Sequence, residues 1–594
     1  MRIHTRFLSL LTPLLALVAL VSNADQSAPP MLQPATPGSA DASASAYLGP
    51  ATGQALGQEP PQELSSELVY TALVAEVALQ RGDYAAAFEH FLAAAHLAQE
   101  PSLAERAVRS ALNTDRPEAA RQALDLWTEL KPDAPKAHQL SAFLALEAGN
   151  RSIAMASLQR VIELGGVPGQ GYLQAAQILG RLPDPSDRLA LMRELVDALD
   201  ADSDPDAQYA LATLAAAAGE DDAAMQLAER ASVLRPGWTD PKLFLVRLLV
   251  GMEQPEQAQA ALERYIIQAP DDAELKLMKA QLHMDAEESE QALAVFNELL
   301  ERTPERPDIL FAAAVLALDI RDLDAAREYL EALKRLGKRP NDVAFLLGQV
   351  EEQAGNSKAA RGLYDEVRGQ NRINAQVRIA RLYAKDGDVQ RARELFQQLR
   401  DQYPGQTSAF YLLEGEMLRD QGLAQQALGV YDLALGQEPD NADLLYARAM
   451  LAVGMGQVAL LERDLRRILI ADPDHVDALN ALGYTLADRT DRFDAAASLI
   501  ERALQLRPDD PAILDSMGWV LYRQGQPEKA EGFLRQALDQ GFDAEIAAHL
   551  GEVLWALGRQ DEARAIWRHA LDEAPDHEYL LRVLSRFRFS HTDN

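Results

Sequence analysis

Small and large apolar positions follow one another along this chain in a fixed order. Between Ser408 and Pro439 the order is a small Gly415, a turn-like Gly422, a small Ala427, a large Tyr431, a small Ala434 and Pro439. The same columns return as Gly348, Gly355, Ala360 and Tyr364, and as Gly387, Ala392, Phe396, Leu399 and Pro404. They return again as Gly518, Gly525, Ala530, Leu534 and Ala537, and as Gly551, Gly558, Ala563, Trp567, Ala570 and Pro575. Each block predicts two helices. The small residues stand where the helices approach closely, and the large one fills the space beside them. Glycine occupies the turn, where a helix C-terminus favours it.

The prolines set the period. Pro236, Pro270 and Pro304 are each 34 residues apart, while Pro404, Pro439, Pro473 and Pro508 are 35, 34 and 35 apart, and Pro575 follows 67 later. A period near 34 predicts a helix-turn-helix array, in which each unit is too small to bury its apolar face and stacks on its neighbours. Nine clear copies stand out: three ending at Pro236, Pro270 and Pro304, and six running from Asn374 to Pro575. Gly82, Tyr84, Ala87, Phe91 and Ala94 mark an earlier copy, as do Ala120 with Pro132, Gly149 with Ala154, and Ala326 with Leu330. Gly171 to Asp204 matches poorly. The expected fold is all-α, a superhelical solenoid of about fifteen repeats between Glu67 and Pro575. A capping helix over Glu578–Phe589 is expected to follow, with Arg582, Arg586 and Arg588 on its polar side.

The columns resemble the tetratricopeptide repeat, with small residues at its eighth, twentieth and twenty-seventh positions and proline at its thirty-second. The resemblance implies that the first helix of each pair lines a groove through its second, fifth, ninth, twelfth and thirteenth positions. Those positions hold Arg381, Lys385, Glu416, Arg419, Tyr446, Asn480, Tyr484, Asp515, Trp519, Tyr522, Arg523, Glu552 and Trp555. They are the candidate partner-binding residues, since aromatic and arginine side chains anchor most interfaces. No complete Asn/Lys clamp for a C-terminal carboxylate is present. The stretches Leu479–Asp488, Ile513–Trp519 and Ala548–Trp555 are similar to those of Gram-negative envelope repeat proteins. The family indicated is that of outer-membrane repeat lipoproteins that bind and activate a carboxyl-terminal processing protease and deliver peptidoglycan hydrolases to it. That family's anchor needs a lipobox cysteine, and this chain has no cysteine at all.

The remaining composition narrows the function further. The formal net charge is −33, which argues against nucleic acid as a partner and against charge-driven binding to anionic lipid. Met1–Ala24 reads as an export signal: Arg2 and Arg6, an apolar core from Phe7 to Val21 interrupted by Pro13, and Ser22-Asn23-Ala24 before a cleavage point. An uncleaved anchor helix is the alternative reading. Residues 25–63, rich in Pro, Ala, Ser, Gly and Gln, are expected to be a disordered tether. Residues 64–305 are then an N-terminal array, 306–577 a C-terminal array, and 578–594 the cap and tail.

No enzyme motif is found, neither a phosphate loop, nor a nucleophile elbow, nor His-Glu-x-x-His. Cysteine chemistry is absent, and no cofactor or metal is expected. His549, His569 and His577 are expected to be partly exposed helix residues. Asp200, Asp202, Asp204 and Asp206 resemble the start of a calcium loop, but Pro205 stands where glycine is needed and Leu211 where glutamate is needed. They read as a solvated linker that starts the next helix. Gly165–Gly171 follows no strand and reads as a flexible connection.

Three readings of function follow. The leading one is a non-enzymatic periplasmic adaptor for a processing protease and its substrates. The second is a component of an envelope assembly or polysaccharide export machine. The third is a regulatory or glycosyltransferase subunit whose catalytic domain lies in a partner. Membrane association is expected only through the N-terminus, and self-association of the solenoid is a further expectation.

Overall fold

The computed structural model describes residues 65–589, apart from 115 and 166–169. The expected export signal and tether, and most of the Gly165–Gly171 connection, lie outside the described residues. From Ser66 to Glu573 thirty α-helices alternate in fifteen pairs, and a last helix, Glu578–Arg586, follows them. No strand occurs among the described residues. Each helix is 9 to 15 residues long, too short to stand alone in water. The stability of the array therefore resides in packing between helices.

The small and large columns meet as their spacing predicts. Gly518 lies against Leu534, and a methyl group built on it would fall 2.6 Å from Leu534 Cγ. The same collision would occur between Gly348 and Tyr364, Gly415 and Tyr431, Gly483 and Ile500, and Gly551 and the indole of Trp567. In each case the first helix of a pair presents glycine to a bulky side chain on the second. Gly422, at φ +72°, takes the left-handed turn conformation that L side chains rarely adopt.

The poorly matched stretch is also a helix pair, Gln170–Leu179 and Pro185–Ala198. It packs with a different set of residues. Tyr172, Ala175, Ile178 and Leu179 bury against Leu189, Met192, Leu195 and Val196. Gly171 meets Ile162 backbone to backbone, leaving no space for a side chain. An aliphatic core here replaces the glycine-and-aromatic columns, which is why the period fades from the sequence.

The described chain forms two compact units that divide between Ile309 and Leu310, within the helix Pro307–Asp319. In the N-terminal unit Asp204 caps the helix Pro205–Ala217 by accepting from the amides of Asp206 and Ala207. Asp206 is not solvated as the linker reading expected. It is buried, and the Arg235 guanidinium grips its carboxylate with both arms. Among the described residues no group of acidic or histidine side chains is arranged to hold a metal ion. No described helix is long and apolar enough to cross a membrane.

In the C-terminal unit, first helices pack on first helices: Arg372–Lys385 on Thr407–Asp420, the latter on Ala442–Gly454, and Val476–Arg489 on Pro511–Arg523. They form the inner row. Two buried ion-pair knots tie pairs together. Glu414 accepts from Arg393 (2.9 Å) and from buried Arg400 (2.6 Å), whose guanidinium also lies 4.2 Å from the Tyr411 ring. Arg448 holds Asp464 through two bonds of 2.7 and 2.8 Å and reaches Asp432 with a third. The terminal helix Glu578–Arg586 buries Leu580, Val583 and Leu584.

Two substitutions test this packing. Gly551→Ala drives a methyl group into Trp567 and is expected to cost about 1–3 kcal/mol. Glu414→Ala leaves the Arg400 charge buried without its carboxylate and is expected to cost about 3–5 kcal/mol. Urea denaturation of each variant, followed by helical circular dichroism, measures both.

Candidate protein-docking face

The thirteen candidate residues all lie on first helices of the C-terminal unit, and their environments fall into two kinds. The first kind is open. Arg381 and Lys385 are exposed, and Arg381 reaches Glu416 on the next first helix at 3.2 Å. Arg419 is exposed and bonds to the neighbouring Asp420 carboxylate at 3.0 Å. Tyr446, half-buried, has its ring 6.5 Å from that of His475 in a stacked arrangement. Burial and the Asp477 charge raise its phenol above the usual range.

The second kind is closed. Tyr484, Asp515, Trp519 and Glu552 are each more than nine-tenths buried. They converge on His549, which is fully buried rather than partly exposed as the sequence suggested. His549 Nδ1 is 2.8 Å from Asp515 Oδ1, and its Nε2 is 2.8 Å from the Tyr579 hydroxyl on the terminal helix. The Trp519 ring stacks on the imidazole at 4.2 Å. The Tyr484 hydroxyl donates to Glu545 at 3.2 Å. Glu552 pairs with Arg586 of the terminal helix. These side chains are buried at the end of the inner row, where the terminal helix closes on His549 through Tyr579 and on Glu552 through Arg586.

The rest stand between these extremes. Tyr522 is half-buried, 5.4 Å from Trp519. Arg523 donates to the Asp488 carbonyl at 3.1 Å and lies 5.2 Å from the Phe493 ring. Trp555 stacks 5.7 Å from Trp567 and 5.4 Å from Phe587. Asn480 is half-buried, and its Oδ1 has no partner among the described residues. Sequence reasoning missed His549, Glu545, Tyr579 and Arg586 as members of this cluster. One signal was available: His549 follows Asp515 by 34 residues, one repeat.

The cluster is a coupled set of charges. Burial opposes charging of His549, but the carboxylates of Asp515, Glu545 and Glu552 hold its imidazolium above the ordinary histidine range. Burial raises the Asp515 carboxyl, with His549 pulling it back. Burial likewise raises that of Glu552, with Arg586 opposing. All three groups bind protons more readily folded than unfolded, so each contributes stability that is lost as pH rises. For His549 that contribution is complete below its ordinary value of 6.5 and disappears as pH passes the raised folded value. Urea midpoints read by tryptophan fluorescence are therefore expected to fall as pH is raised above 6.5, and His549→Gln is expected to flatten that dependence.

Residues 245–307, 311–373, 377–442 and 446–511 match the tetratricopeptide repeat profile, as do 489–549 and 544–577 under two further profiles of the same description. The chain is 37% identical over 490 residues to the TPR repeat-containing protein PA4667 of Pseudomonas aeruginosa, covering 82% of each. It is 23% identical over 165 residues to human protein O-mannosyl-transferase TMTC1, covering 28% of this chain and 18% of that protein. Among solved structures, yeast Tom70 is similar over 89% of this chain and 96% of its own, with 16% identity and a TM-score of 0.33. A thermophilic TPR protein of Thermus thermophilus is 26% identical over 31% of this chain and all of its own, with a TM-score of 0.28. With its columns packed as the repeat requires and its sequence matched from residue 245 to 577, the chain belongs to the tetratricopeptide repeat family.

Proposed function

We propose that this repeat protein is a non-catalytic periplasmic adaptor that holds a carboxyl-terminal processing protease and presents peptidoglycan hydrolases to it. The tetratricopeptide repeat is a scaffold for protein–protein interaction, and here its fifteen helix pairs occupy nearly all of the described chain. The observation that carries the finer reading is the likeness of Leu479–Asp488, Ile513–Trp519 and Ala548–Trp555 to the envelope adaptors of that protease. The inner row supports it physically. Arg381, Lys385 and Arg419 offer exposed charge on two adjacent first helices, with half-buried Glu416 between them. The aromatic cluster behind His549 makes the end of that row rigid. Two proteins held on one such array meet at an effective concentration set by geometry and not by their bulk levels.

Export through the N-terminal signal would place the adaptor in the same compartment as its clients. A purified processing protease and a cell-wall hydrolase, mixed with and without the full chain, test the reading. The chain is expected to accelerate hydrolase loss. The triple variant Arg381→Ala, Lys385→Ala, Arg419→Ala, which leaves the buried cluster intact, is expected to reduce that acceleration about tenfold. Hydrolase loss at the same rate with and without the wild-type chain rules the adaptor reading out.

A further inference from the structure

The chain carries a net charge of −33, yet between Arg327 and Arg400 it has fifteen basic residues and ten acidic ones. The structure concentrates the unbalanced part at one place. Where one helix pair joins the next, the joints of the C-terminal unit from Glu438 onward carry carboxylates: Glu438 and Asp440, Asp472 and Asp474, Asp509 and Asp510, Asp543, Asp576; the joint 403–406 carries no charge. The joints 336–339 and 367–371 carry none. They present Lys338, Arg339 and Arg368 instead, with Lys334 and Arg335 in the helical turn before the first of them and exposed Asp365 and Glu366 in the turn before the second. The two joints abut, because the Arg368 amide donates to Asn341 Oδ1 at 3.0 Å.

Several of these charges are unspent. Arg339 is taken up by Asp342 and by the Phe311 ring 3.7 Å beneath it. Lys334, Arg335, Lys338 and Arg368 are exposed and make no ion pair among the described residues. The Arg368 guanidinium donates to the carbonyls of Asp365 and Val367. The helix dipole accounts for Lys334 and Arg335, which sit at the C-terminal end of Leu323–Arg335. It also accounts for Arg368, whose guanidinium reaches the carbonyls at the C-terminal end of Ser357–Glu366, and for Lys338, whose amide closes the end of Leu323–Arg335 on the Leu333 carbonyl. The helix ends place these four charges, but no carboxylate among the described residues pairs with them, so they stand open to an anion.

We propose that this basic edge is a docking site for an acidic peptide segment of a partner protein, separate from the inner row. The proposal rests on charge complementarity and stands whether or not the partner on the inner row is a protease. A peptide fits better than a lipid surface, because the patch spans only two adjacent joints and a flat anionic bilayer would also face the acidic remainder of the molecule. Electrostatic docking of this kind weakens steeply with salt.

The test uses the full chain and a fluorescein-labelled peptide of about ten residues rich in glutamate, beside its glutamine counterpart, read by anisotropy at about 50 mM and 300 mM salt. The glutamate peptide is expected to bind at low salt, the glutamine peptide not to bind, and the quadruple variant Lys334→Gln, Arg335→Gln, Lys338→Gln, Arg368→Gln to weaken binding at least about tenfold. A control pair, Arg467→Gln and Arg502→Gln, at joints furnished with carboxylates is expected to bind as wild type. If the quadruple variant has lost helicity, Lys338→Gln with Arg368→Gln replaces it and is expected to weaken binding in the same direction. Equal binding of the two peptides, or equal binding by wild type and both edge variants, overturns the proposal. So does an edge-dependent gain in mass on sedimentation without peptide, which would assign the edge to a second copy of this chain. Edge-dependent binding to phosphatidylglycerol vesicles in place of the peptide would overturn it in favour of a membrane.

Discussion

The contact between a glycine or alanine on one helix and a large side chain on its partner sets the rest of this structure. At Gly551 and Trp567, Gly415 and Tyr431, and Gly518 and Leu534 there is no room for even one more carbon. That closeness fixes the separation of the two helices in a pair. Once the separation is fixed, the outer surface of each pair is a constant shape onto which the next pair can pack. Stability is then a sum over short-range interfaces, with no single central core. A local overpacking at one column is therefore passed to the neighbouring repeats through the same interfaces.

Charge is distributed over this frame in three ways. The knots at Glu414 and Arg448 are buried between helices and carry a large penalty if one partner is removed. Arginines on second helices reach back to carboxylates at the joint that opens their own pair, as Arg467 does to Asp440 and Arg502 to Asp474. These exposed pairs contribute little individually but orient the joints. The cluster around His549 is the third arrangement. It is a buried, aromatic-lined group of opposing charges in which one histidine connects two repeats and the terminal helix through both ring nitrogens.

That cluster changes how the inner row is read. Repeat columns place Trp519 and Glu552 on the face that binds partners, and their chemistry suits an interface. In the folded chain Trp519 stacks on His549 of the next repeat and Glu552 pairs with Arg586 of the last helix. The surface left open is the more polar part of the row, around Arg381, Lys385 and Arg419, where electrostatic steering and salt sensitivity follow from exposure. The end of the array is thus stiffened by residues of the type that other proteins use to hold ligands.

The sequence by itself determined the helix pairs, their number and the identity of most contacts between small and large columns. Those contacts are local, at most about one repeat apart, and the period repeats them often enough to be read. It did not reveal the pair Gln170–Leu179 and Pro185–Ala198 as a regular member, because aliphatic packing there leaves no glycine or aromatic mark. The charge imbalance near residue 340 was present in the sequence, but only folding brings the joints at Lys338 and Arg368 together. Only the tertiary structure decided which inner-row residues face solvent. Exposure at Trp519, Asp515 and Glu552 depends on whether a later helix lies against them: His549 of the next repeat meets the first two, and Arg586 of the terminal helix meets the third. A column can state what a residue packs against within its own pair; it carries no information about what the end of the chain covers.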